Sequence, residues 1–247
     1  MRLGLALTLL LLQAPALAAV AQEATEYASA RAGLVAQVEL NAELAGPVTG
    51  HPVIAPSVLE AIREVPRHLF VPEAVAAYAY LDLPLPAAFG LRESQPFLVA
   101  LMSDLVDIQA GDDVLVLGVG GGYHAAVASR LAARVHAVDL DAAAATAVAA
   151  RLERLGYGNV EVRSADPYDG WPEAERTFDA IIVRLAVDRL PQALLRQLAP
   201  GGRLVAPIGP AESEQSLMLV IRRADGSLGG RSVLPVRFMR LPGGERI

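Results

Sequence analysis

The chain has no cysteine and no lysine; reading along the sequence, all 21 basic residues are arginine. The absence of cysteine excludes thiol nucleophiles, disulfides and cysteine-ligated zinc. The absence of lysine excludes Schiff-base chemistry and a phosphate-loop lysine. Histidine is scarce as well: His51, His68, His124 and His136 are too scattered to form a histidine-rich metal cluster, so no metal is expected. Positive charge is also in deficit, with 27 acidic residues and a net charge of -6, which argues against a nucleic-acid backbone as partner. Any chemistry must therefore come from a bound cofactor, or from Ser, Asp, Glu, His and backbone groups.

What is present is apolar. Hydrophobic residues make up 53% of the 247, which excludes a disordered chain and suits one compact domain. At the N-terminus, Arg2 precedes an apolar run from Leu3 to Leu12, followed by Ala16-Leu17-Ala18 and Ala19-Val20-Ala21. A positive start, an apolar stretch too short to span a bilayer and small-x-small sites describe a secretory signal over residues 1–21. The expectation is a periplasmic or secreted protein without stable membrane insertion, the alternative being a cytoplasmic one with a buried N-terminal helix.

The mature chain, residues 22–247, reads as a single domain in two parts. In residues 22–110, helices are expected over Gln22–Leu44, ended by Gly46-Pro47, then over Pro56–Val65, around Glu73–Tyr80, and from Pro96 to about Ile108. A Pro-rich loop, Leu81–Leu91, lies among them. In residues 111–247 short aliphatic runs alternate with helical stretches: strands at Asp113–Leu117, Val135–Val138, Asn159–Val162, Phe178–Val183 and Arg203–Pro207. Such alternation argues for a doubly wound, mostly parallel sheet. A final pair, Ser216–Arg222 and Ser232–Met239, reads as an antiparallel hairpin on the sheet edge, giving seven strands and an N-terminal helical extension.

Between the first of these strands and the next helix stands Gly118-Val119-Gly120-Gly121-Gly122-Tyr123. Glycine there permits a sharp turn and a close backbone approach to a ligand. The dinucleotide pattern G-x-G-x-x-G needs glycine where Tyr123 stands, so a nicotinamide-dependent dehydrogenase is disfavoured. The spacing G-x-G-x-G suits a ligand with no pyrophosphate. Asp139 ends the next strand, where an acid can accept hydrogen bonds from the ribose hydroxyls of an adenosyl group. Asp166, past the third strand, could reach an adenine amino group or cap a turn.

With their surroundings, these features resemble the protein-L-isoaspartate O-methyltransferase family. The likeness runs through Val65-Pro66-Arg67-His68-Leu69-Phe70-Val71-Pro72, Ser94-Gln95-Pro96, Gly156-Tyr157-Gly158-Asn159-Val160, Gly170-Trp171-Pro172-Glu173, Phe178–Val183 and Pro200–Val205, in the family's order. It implies S-adenosyl-L-methionine as cofactor, held by Gly118, Gly120, Gly122, Asp139 and Asp166. It also implies methyl transfer to the free carboxylate of L-isoaspartyl residues in damaged proteins, with Ser94 as active-site residue. Arg92, Gln95 and Arg184 are candidate substrate-binding residues, and a monomer is expected.

The sequence departs from the family's pattern at three places. Arg92-Glu93 stand where Thr-Ile is usual, either as charges acting on the substrate carboxylate or as a solvated pair. Val116 replaces an acid at the end of the strand before the turn. Arg184-Leu185 replace small residues, and Arg184 is either a carboxylate clamp or a side chain filling the pocket. Two readings stay open on this basis: the methyltransferase, and a catalytically inactive methyltransferase-like binding protein in the periplasm.

Overall fold

The computed structural model describes residues 4–210 and 213–240, with side chains from Glu26 onward. The side chains of the expected signal segment thus lie outside the described residues. Seven strands form one sheet: β1 (Asp113–Leu117), β2 (Arg134–Asp139), β3 (Val160–Ser164), β4 (Phe178–Val183), β5 (Leu198–Ile208), β6 (Gln215–Arg222) and β7 (Leu228–Val236). Their order is β3-β2-β1-β4-β5-β6-β7, parallel through β5 and antiparallel in the last two pairings. The antiparallel hairpin lies on the expected sheet edge, its second strand set several residues earlier than expected.

β1 shows why the strands read as continuous apolar runs. Successive side chains face opposite sides of a sheet. Val114 and Val116 enter one core with Phe97, Leu101 and Ala125, while Leu115 and Leu117 enter a second with Trp171 and Leu194. With both faces covered, no polar alternation is needed.

Among the described residues six α-helices accompany the sheet: α1 (Gly4–Thr49), α2 (Pro56–Glu64), α3 (Pro96–Leu105), α4 (Tyr123–Ser129), α5 (Ala142–Arg154) and α6 (Gln192–Gln197). Asp141 caps α5 by accepting from the N–H groups of Ala143 and Ala144, and the helix buries Ala144, Ala145, Val148 and Leu152 at helical spacing. α1 buries Leu34, Val35, Val38 and Ala42 in the same way.

Several boundaries differ from expectation: α1 starts at Gly4 rather than Gln22, β3 covers Val160–Ser164 rather than Asn159–Val162, and β7 covers Leu228–Val236 rather than Ser232–Met239. Two more have a visible cause. α1 continues through Gly46-Pro47 to Thr49, because one missing N–H does not end a helix whose last turn packs. The stop comes at Gly50, left-handed at φ 69° and donating to the Gly46 carbonyl. β5 begins at Leu198 rather than Arg203, since Gly201, at φ 85°, lets the chain turn inside the strand where the pairing with β4 shifts register.

Candidate functional site

The chain order reverses between β1 and β4, and at such a switch point the loops leaving the strand ends part to form a crevice. A cavity of about 870 Å³ lies there. Gly118, Gly120 and Asp139 line it from the sheet, and Arg92, Glu93 and Ser94 from the loop before α3. Arg184, directly after β4, and the segment from Leu234 to Met239 complete its walls. Seven of the nine residues singled out from sequence are brought together.

The sheet wall is fixed by short-range bonds. Gly118 and Gly120 have φ of 85° and 58°, a region that favours glycine. The Gly118 N–H donates to Val138 O across to β2. Asp139 Oδ2 accepts from the N–H of Val119 (2.9 Å) and Oδ1 from that of Asp141 (3.1 Å), so its buried carboxylate ties the turn to the β2 end. Each oxygen keeps further lone-pair capacity for a ligand. Gly122 and Asp166 fall outside the cavity. Gly122 starts α4 at φ 102°, where a Cβ would meet Val148 at 3.0 Å, so its smallness serves helix packing. Asp166 Oδ1 accepts from the Tyr168 N–H at 3.0 Å, the turn-capping alternative.

The loop wall is held from a distance. The fully buried Arg67, from the V-P-R segment, donates to the carbonyls of Ala79, Leu81, Leu83 and Ser94. Burial lowers its pKa, though an arginine remains charged at neutral pH. Asp82 accepts from Gln95 Nε2 (2.8 Å), the Phe97 N–H (2.7 Å) and Asn41 Nδ2. It thereby caps α3 from outside. Ser94 is consequently not spent as a cap: the N-cap position is Gln95, with no side-chain capping bond. Gln95 lines the cavity with its amide tied to Asp82, and Arg92 is exposed.

Arg92 and Glu93 do not form a solvated pair: Arg92 is exposed, while Glu93 turns inward to Arg184. Glu93 is completely buried; its Oε1 accepts from the N–H groups of Gly121 and Tyr123, and its Oε2 pairs with Arg184 Nη2 at 2.9 Å. Arg184 Nη1 donates to Gly118 O at 2.6 Å. The two departures compensate one another. Val116, the third, is buried in the core and does not line the cavity. A second acid beside Asp139 meets the glycine turn from the loop, as Glu93.

Sequence reasoning missed Arg67 and Asp82 as organisers of the loop. Arg67 stands in a motif quoted above, so the signal was there without the role; Asp82 carries no local signal. Tyr123, in the third-glycine place, is buried with its ring edge-on to Phe70, and burial raises its phenol pKa.

The family model described as protein-L-isoaspartate(D-aspartate) O-methyltransferase (PCMT) matches residues 44–246. Protein-L-isoaspartate O-methyltransferase 2 of Syntrophobacter fumaroxidans is 42% identical over 242 residues, covering 98% of each chain. Protein-L-isoaspartate O-methyltransferase of Anaeromyxobacter dehalogenans is 48% identical over 185 residues, 74% of this chain and 88% of that one. A solved protein-L-isoaspartate O-methyltransferase superposes with a TM-score of 0.73 at 30% identity, covering 86% of this chain and 66% of that one. The fold is shared by a Plasmodium falciparum structure at a TM-score of 0.69 and 19% identity, over 85% of this chain and 96% of that one. The chain belongs to the protein-L-isoaspartate(D-aspartate) O-methyltransferase family.

Proposed function

We propose that this chain uses S-adenosylmethionine to methylate the free carboxylate of L-isoaspartyl residues in damaged proteins. The observation that carries the reading is one cavity shared by the glycine turn, Asp139 and Ser94 in a chain of this family.

The residues present fit the cofactor. The cavity is within the common range for small-molecule sites, about 300–1,000 Å³. Asp139 offers acceptors for ribose hydroxyls beside a turn whose glycines allow close approach. When bound, the cofactor supplies an already activated methyl group. The chain's own part is then positioning. A substrate carboxylate is ionised at neutral pH, so no general base is needed. Ser94 Oγ donates a hydrogen bond that orients it, and the exposed Arg92 attracts it to the mouth. Glu93 does not repel it, because its charge is balanced by Arg184. Leu91, Phe97, Leu98 and Leu234 on the cavity wall limit water. Asp166, engaged in its turn, is assigned no part.

The test is methyl-ester formation on an isoaspartyl peptide beside its aspartyl counterpart. Ester on the first alone is expected. Cofactor binding without ester formation would instead establish the inactive binding protein.

The reading includes export, supported by Arg2, the Leu3–Leu12 run and the alanine-rich sites that follow. Among the described residues no helix is long and apolar enough to cross a membrane. Native protein beginning at Gln22 is the expected result; an intact Met1 would overturn it.

A further inference from the structure

Arg184 sits at the switch point in an unusual state. Its side chain is almost fully buried, yet it belongs to the cavity wall, and its Nε has no acceptor among the described residues. A buried donor left without a partner is costly, and a ligand acceptor would relieve that cost. The guanidinium also lies against the face that the glycine turn leaves open. A Cβ on Gly120 would come within 2.8 Å of Nη1 and 2.9 Å of Nη2. Three anchors hold it there: Gly118 O on Nη1, and Glu93 Oε2 with, more distantly, Arg92 O on Nη2. Glu93 is fixed in turn by the N–H groups of Gly121 and Tyr123. A planar fork with one face on a glycine turn and a spare N–H is suited to a carboxylate. In the methyltransferase reading above, Ser94 and the Arg92 side chain serve the substrate carboxylate.

Resting on the methyltransferase reading above, we propose that Arg184 receives the α-carboxylate at the amino-acid end of the cofactor, and that Glu93 is the positioning residue that holds the guanidinium in place. This assigns Arg184 to the cofactor side of the cavity rather than to the isoaspartyl substrate. It also explains why Glu93 and Arg184 occur together. An unpaired Arg184 would be free to leave the turn, and an unpaired Glu93 would repel the same carboxylate.

Calorimetric titration with two cofactor analogues tests this. S-adenosylhomocysteine carries the amino-acid end and 5′-methylthioadenosine lacks it. Arg184→Met alone would strand the Glu93 charge, so the double variant Glu93→Gln/Arg184→Met, which removes both charges, is measured beside it. Arg184→Lys keeps the charge without the fork. The double variant should bind S-adenosylhomocysteine about 10- to 100-fold more weakly, the range of a charged hydrogen bond. Its affinity for 5′-methylthioadenosine should change less than twofold. Arg184→Lys should recover part of the loss. An equal loss for both analogues, or no loss for either, overturns the proposal and leaves the methyltransferase reading standing. Tighter S-adenosylhomocysteine binding in the double variant also overturns it, making Arg184 an obstruction rather than a receptor. Failure of the unaltered chain to bind either analogue overturns the methyltransferase reading, and the proposal with it.

Discussion

The two walls of the cavity are built on different principles. On the sheet wall, Gly118, Gly120 and Asp139 are held by partners close in sequence or on the neighbouring strand. On the loop wall, the groups that are fixed are tied by side chains from other elements: Ser94 O by Arg67, Gln95 by Asp82, and Glu93 by Arg184. A wall of the first kind is the same wherever the strand–turn–helix unit recurs. A wall of the second kind changes by paired substitutions at distant positions. The pairing of Glu93 with Arg184 is a change of that kind.

The largest effect should come from breaking the tie between the walls. Glu93→Ala leaves Arg184 buried without its counter-charge and should cost about 3–5 kcal/mol of stability in chemical denaturation. The neutral double variant should cost much less, and equal costs would show that the pair is not the tie. Asp139→Ala, within the sheet wall, should weaken cofactor binding about a hundredfold by calorimetry, through lost acceptors and a loosened turn. Ser94→Ala, on the loop wall, should lower kcat/KM for an isoaspartyl peptide about tenfold while leaving cofactor affinity intact. Loss of cofactor affinity in that variant would erase the division of labour.

The smallest effect concerns acid. His124, in α4 just behind the turn, is buried with Nε2 on Ser103 Oγ at 3.1 Å. Burial first, and the charge of Arg184 second, hold its pKa well below the usual value. Above the unfolded pKa of about 6.5 both states are neutral and the group is indifferent to pH. Below it the unfolded chain takes a proton that the folded chain refuses. Stability should then fall by about 1.4 kcal/mol per pH unit until the lower folded pKa is reached. In denaturation at pH 5.5 and 7.5, His124→Asn should remove this part of the slope, and an unchanged slope would refute the assignment.

The same contrast explains what could be read beforehand. Phe178–Val183 and Asp113–Leu117 match the observed strands because their apolar runs are buried on both faces. The glycine turn and Asp139 were legible for the same local reason. The burial of Glu93 was not, since nothing near it in sequence indicates a partner 91 residues away. Asp166 illustrates the opposite limit: a position that suits a ligand also suits a turn, and only the fold shows that its oxygen faces the Tyr168 N–H.

The cavity draws on a segment far from the glycine turn. Leu234 to Met239 form part of its wall, the Met239 carbonyl accepts from the Ala186 N–H, and Arg231 of β7 donates to the Thr49 carbonyl at the close of α1. The parallel pairings of β1 to β5 do not involve this segment. The site's wall is complete only when β7 and the residues after it fold back against α1, so a chain clipped before Leu234 should keep the parallel strands and lose the site.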